Sequence, residues 1–170
     1  MDSGINSPLT SSAGRLFDGV ASLVLSRAVA HAEAELPMEL ERIASKTCDD
    51  RYEVDITPED GMLVIGISGL IRGIVNDMRM KRDKSVISAK FHNTIAEAIA
   101  VVALRLRKSA GLRKVVLSGG VFQNRYLAKR AALVLGKNGF DVYINSVINV
   151  NDNGIPAGQL AIANARGSCV

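Results

Sequence analysis

The run Val115-Val116-Leu117-Ser118-Gly119-Gly120-Val121-Phe122-Gln123-Asn124 leaves few folds open to this chain. A short apolar β-type segment stops at two glycines and passes into a helix-like segment from Phe122 to about Leu135, and a second strand follows at Asp141–Ile144. Strand, helix and strand so closely spaced predict parallel pairing through a right-handed crossover, and with it an α/β layer. The strand-to-helix step predicts unpaired backbone N–H groups at the helix start, which form a seat for an anion or a nucleotide. A Cβ at Gly119 or Gly120 would limit φ and hold a phosphate or sugar away from the main chain. A tight turn with no ligand is the plain alternative. Some thirty residues on, Asn151-Asp152-Asn153-Gly154 sets one carboxylate between two amides ahead of a final helix, Ile155 to about Ala165. That is the chemistry of a metal ligand or phosphate–metal bridge, and equally of an Asx turn or helix cap.

The first half is mostly helical. After an extended lead-in over residues 1–11, Ser11 or Ser12 caps a helix running to about Ala30, with Leu16, Phe17, Val20, Leu23 and Val24 on its apolar face. Asp18 lies on its other face, where it either reaches a ligand or favours the positive end of the helix dipole. A shorter helix is predicted from Pro37 to about Lys46, a hairpin from Tyr52–Ile56 and Met62–Ile65, and a helix from Ser68 to about Met78. Ser85 or Ser88 then starts a long helix to about Lys108, stopped by Gly111 and rich enough in Ala and Val to be largely buried. On it His92 is expected as a hydrogen-bonded packing residue, while His31 is expected near a helix end.

Composition narrows the function classes. With 170 residues and 48% apolar content, the chain is expected to be one domain spanning 1–170 with a sizeable core. No uninterrupted apolar run approaches a membrane span and no export signal opens the sequence, so a cytoplasmic protein that does not engage a membrane is expected. Cys48 and Cys169 form neither a CxxC pair nor a zinc spacing and are read as free thiols. The net charge is +4, with Arg72, Arg79, Lys81, Arg82, Lys84 and Lys90 in one window. No aromatics interleave with these charges, which argues for a solvated helix end over a nucleic-acid surface.

Together, Leu117–Asn124, Asn151-Asp152-Asn153-Gly154-Ile155 and Gly158-Gln159 closely resemble the C-terminal end of the HypF hydrogenase maturation carbamoyltransferases. Leu9–Asp18, Met38-Glu39-Leu40-Glu41 and Phe91-His92-Asn93-Thr94 resemble the same family in the same order. The resemblance implies a ribonuclease H-like lobe of the actin-like ATPase and sugar kinase type, here the second of two, with a helical N-terminal part and a small β-hairpin. It implies an adenine nucleotide, ATP or carbamoyl-adenylate, held by Asp18 at the ribose and by Ser118, Gly119, Gly120 and Asn124 at the nucleotide-binding turn. Asp152 resembles the last ligand of a divalent metal, iron, zinc or magnesium. The implied reaction is carbamoyl transfer to a thiol of a hydrogenase maturation partner protein.

Three departures from the pattern bear on activity. The family's metal site draws a histidine pair from the first lobe, and the only histidines here, His31 and His92, lack an HxxxH spacing. The adenylating modules of full-length members have no counterpart in these 170 residues. Ala34 stands where members usually carry glycine. The expectation is a lobe that binds nucleotide and turns over only with a complementary lobe. The alternative is a non-catalytic interaction module that pairs with a partner or with itself as a homodimer.

Overall fold

A computed structural model describes residues 10–167. Helix α1 spans Ala13–Leu25 and starts at Ser12, whose Oγ accepts from the Arg15 amide at 3.3 Å. It ends well before Ala30, because Ser26 turns left-handed (φ 59°) and the Arg27 amide reaches back to the Ser22 carbonyl, a Schellman finish. His31 therefore lies in the connection to α2 rather than at a helix end, and its amide donates to Glu35. Helix α2 spans Glu35–Ile43, with Pro37 in its first turn. Arg27 forks onto Glu35 and Glu39, both at 2.7 Å, and ties α2 back to the end of α1.

Strands β1 (Asp55–Glu59) and β2 (Met62–Gly66) form the expected antiparallel hairpin, turning on Asp60 and Gly61 at φ 48° and 77°. Two positive φ angles in a row are what a two-residue hairpin turn requires. The first strand begins three residues later than predicted, because Tyr52 is not a strand residue. It is buried beneath α3 (Ser68–Arg79), and its ring lies against Gly73, where any Cβ would collide with it.

Helix α4 (Lys84–Ala110) is the axis of the molecule, with α1, α2, α3 and α5 packed around it. Asp83, not a serine, caps it, its Oδ1 accepting from the Ser85 amide at 2.7 Å, and Gly111 stops it at φ 69°. Among the described residues α4 alone is long and apolar enough to cross a membrane. Over half of that apolar window is buried by the rest of the chain, as expected of a core helix. The basic window is partly internal: Lys90 reaches Asp77 at 2.6 Å, Arg82 reaches it at 3.4 Å, and the Tyr52 hydroxyl donates to it at 2.9 Å. Burial pushes the Asp77 carboxyl up, but those hydrogen bonds and positive charges outweigh it and hold the carboxyl below its ordinary value.

Strand β3 (Lys114–Leu117) pairs in parallel with β4 (Asp141–Ile144), Lys114 opposite Asp141 and Leu117 opposite Ile144, with α5 (Arg125–Lys137) as the crossover. The α/β class and the parallel pairing are as predicted. A 3-10 turn, Gly120–Gln123, separates the glycines from α5, so the helix begins three residues later than the sequence implied. A second 3-10 turn, Asp152–Gly154, leads into α6 (Ile155–Gly167), which buries no residue. The lead-in over residues 1–9 and Cys169 fall outside the described residues; Cys48 is a free, half-buried thiol.

Candidate functional site

The N-terminal turns of α1, the outer face of α2, the 3-10 turn and the first half of α5 enclose a cleft of about 880 Å³. That volume lies within the range of small-molecule sites. Of the sequence candidates, Asp18, Gly120 and Asn124 line it. Asp18 is half-buried and pairs with Arg15 at 3.2 Å along α1. Phe17, Pro37, Met38 and Val121 supply an apolar lining between Asp18 and the turn.

The two glycines serve different ends. Gly119 sits at φ 106°, ψ 155°, a conformation essentially closed to other residues, and its amide donates to the Val150 carbonyl at 2.7 Å. Gly120 has an ordinary φ, and a Cβ on it would meet nothing within 4 Å, so the space above it is open. Among the described residues the amides of Gly120 and Val121 find no protein acceptor.

The start of α5 is not open, contrary to the sequence expectation. Glu41 Oε1 accepts from the Arg125 amide at 2.8 Å and the Tyr126 amide at 3.2 Å, and Asn124 Oδ1 accepts from the Leu127 amide at 2.8 Å. Two side chains of this chain therefore satisfy the helix-start donors that a ligand was expected to use. The amides left for a ligand belong to the 3-10 turn just before. Sequence reasoning missed Glu41 in this role, although the Met-Glu-Leu-Glu run contains it; a carboxylate that caps a helix eighty-four positions away leaves no local signature.

Asn124 also donates through Nδ2 to His92 Nε2 at 2.8 Å. His92 is fully buried, as expected of a packing residue, and burial, only partly offset by its bond to the Ser88 carbonyl, lowers its pKa to about 4. The cleft further carries Arg42, Lys46, Arg125, Lys129 and Arg130 against Asp18 and Glu41, which makes it electropositive. Arg130 reaches Asp49 at 2.6 Å, while its buried Nε has no partner. The spacing of Arg125, Lys129 and Arg130 on one helical face was visible in the sequence.

Ser118, Gly119 and Asp152 do not line the cleft. Ser118 is exposed just before the glycines. Asp152 is exposed in the last 3-10 turn, in a loop joined to the site through the Val150–Gly119 hydrogen bond. Among the described residues no group of three or more His, Cys, Asp or Glu side chains could hold a metal ion.

Comparison with known proteins identifies a family. The family described as "Carbamoyltransferase, Kae1-like Domain, second subdomain" matches residues 1–159. The carbamoyltransferase HypF of Synechocystis sp. is 33% identical over 155 residues, covering 90% of this chain and 19% of that protein. HypF of Rhodobacter capsulatus is 34% identical over 164 residues, 96% of this chain and 21% of its own length. A crystal structure of full-length HypF in a phosphate- and nucleotide-bound form superposes with a TM-score of 0.89 at 44% identity, covering 96% of this chain and 22% of that one. The chain thus spans about a fifth of the length of these relatives.

Proposed function

The chain belongs to the HypF carbamoyltransferase family, as its Kae1-like second subdomain, and from that premise we propose that the cleft between α1, α2 and α5 binds an adenine nucleotide. The observation that carries this reading is the convergence, on one electropositive cleft, of the Asp18 carboxylate and the unpartnered Gly120 and Val121 amides. A carboxylate suits ribose hydroxyls, which donate to it. Free amides beside open space suit phosphate oxygens, which accept from them. Pro37 and Met38 offer the apolar contact that a purine needs.

In this reading the chain is the nucleotide-binding half of a two-lobed, ribonuclease H-like domain, and its contribution to carbamoyl transfer is to hold and orient ATP or carbamoyl-adenylate. The transfer itself, to a partner thiol in hydrogenase maturation, requires a complementary lobe. A divalent metal enters the proposal only with donors from that lobe, Asp152 being a single exposed carboxylate. No catalytic residue is assigned to this chain.

Calorimetric titration of the chain with ATP and Mg²⁺ tests the proposal. Saturable binding is expected, with stabilisation against unfolding of about 2.7 kcal/mol at a hundredfold excess over Kd. The absence of both heat and stabilisation at millimolar nucleotide would contradict it. A second reading, an interaction module without nucleotide, is favoured by one observation: Val116 and Tyr143, paired on the outer face of the β3–β4 sheet, are 69% and 50% exposed. Light scattering separates the two, since that reading expects self-association with no response to ATP.

A further inference from the structure

Both walls of the cleft are hydrogen-bonded to the same turn of α4. Ser88 and His92, four residues apart and each 0% exposed, bond α2 and the start of α5 respectively. Ser88 Oγ donates to the Leu40 carbonyl in α2, the residue before Glu41. His92 Nδ1 lies 2.8 Å from the Ser88 carbonyl oxygen, an atom that can only accept, so Nδ1 carries the proton. In a neutral ring Nε2 is then a bare acceptor. It faces Asn124 Nδ2 at 2.8 Å, and that leaves the Asn124 amide one orientation: Nδ2 toward His92 and Oδ1 toward the Leu127 amide. The flipped amide would set oxygen against the Nε2 lone pair and NH₂ against the Leu127 N–H. The ring cannot rotate away, because Phe17, Phe91 and Tyr126 pack around it with centroids 5.4, 5.6 and 5.1 Å distant.

We infer that His92 is a positioning residue for the nucleotide site: through its Nε2 acceptor it fixes the Asn124 amide, and through Asn124 the turn that presents the Gly120 and Val121 amides to the cleft. The inference rests on the nucleotide reading above and deepens it. His92 touches no ligand. It acts by selecting one of two rotamers of the residue that closes the 3-10 turn and caps α5.

Two substitutions separate this role from packing. His92→Gln keeps an acceptor near the Nε2 position and gives up the Nδ1 donor, whereas His92→Asn keeps a donor toward Ser88 and gives up the acceptor. Calorimetry with ATP and Mg²⁺ on the 170-residue chain is expected to give H92Q an affinity within about threefold of the unsubstituted chain. H92N is expected to bind at least about tenfold more weakly, since the half-buried Asn124 amide loses the acceptor that fixes its orientation. Equal affinity of H92N and the unsubstituted chain would overturn the inference, as would an equal loss in both variants. If the unsubstituted chain itself takes up no ATP, the cleft reading fails instead. Should either variant not fold, ¹⁵N spectra of the imidazole in the unsubstituted chain decide: the protonated Nδ1 with bare Nε2 is expected, and a protonated Nε2 would overturn the inference.

Discussion

Two regions of this chain are similarly rich in apolar residues and differ in what they do with them. Around α4, the side chains of Phe17, Leu40, Leu70, Ile74, Phe91 and Leu127 are essentially removed from water, and the buried polar side chains Asp77, Ser88, His92, Asn93 and Thr94 are all hydrogen-bonded. From Asn145 to Gly167 no residue is buried, although Val147 is 93%, Leu160 72% and Ile162 56% exposed. The first region encodes its own packing partners. Apolar surface of the second kind gains stability only when something covers it. In the proposed reading the complementary lobe is that cover.

The sharpest way to break this contrast is to delete apolar bulk on each side of it. Phe91→Ala is expected to cost about 3–5 kcal/mol in urea unfolding, while Leu160→Ala should change stability by no more than about 0.5 kcal/mol. Comparable losses would mean that α6 is packed after all. Lys90→Met should also cost about 3–5 kcal/mol, because it leaves the nearly buried Asp77 carboxylate without its closest cation.

Acid provides the next test. His92 has a folded pKa of about 4, below its ordinary 6.5, so the unfolded chain binds the extra proton first. Its contribution to stability is complete above about pH 6.5 and is lost as pH falls from there toward 4, by ~3 kcal/mol. Unfolding free energies across that window should show the loss, and H92Q should show much less of it. Asn124→Ala should cost about 1–2 kcal/mol through the lost α5 cap, together with a fall in ATP affinity. Ala34→Gly acts in the opposite direction and is expected to raise the unfolding free energy by up to about 1 kcal/mol, because Ala34 holds a left-handed φ of 57° that glycine adopts freely.

That last position also shows how far the sequence could be read. Ala34 was visible as the departure from a usual glycine, but its cost, a strained φ at the entry to α2, emerges only from the backbone. The helices of the body, the hairpin and the parallel β3–β4 pair were legible because apolar period and turn residues are local signals. One boundary slipped because a long-range partner decided it: Tyr52 left its strand to pack on Gly73 and bond Asp77. Of the residues that line the cleft, Asp18, Gly120 and Asn124 stood out in the sequence through motif order. The capping of α5 by Glu41 and the orientation of Asn124 by His92 were not, since each joins residues more than thirty positions apart. Asp152 was readable as a carboxylate in a turn, and nothing local tells which face of the molecule that turn will meet.

The central claim is that the Gly120 and Val121 amides, with Asp18 across the cleft, receive an adenine nucleotide. The most direct measurement is an amide-resolved NMR titration of the ¹⁵N-labelled chain with ATP and Mg²⁺. Progressive, saturable shifts at Gly120, Val121 and the residues around Asp18 are expected, with the amides of α6 unmoved. Unchanged Gly120 and Val121 signals at millimolar ATP, or shifts confined to α6, would contradict the account.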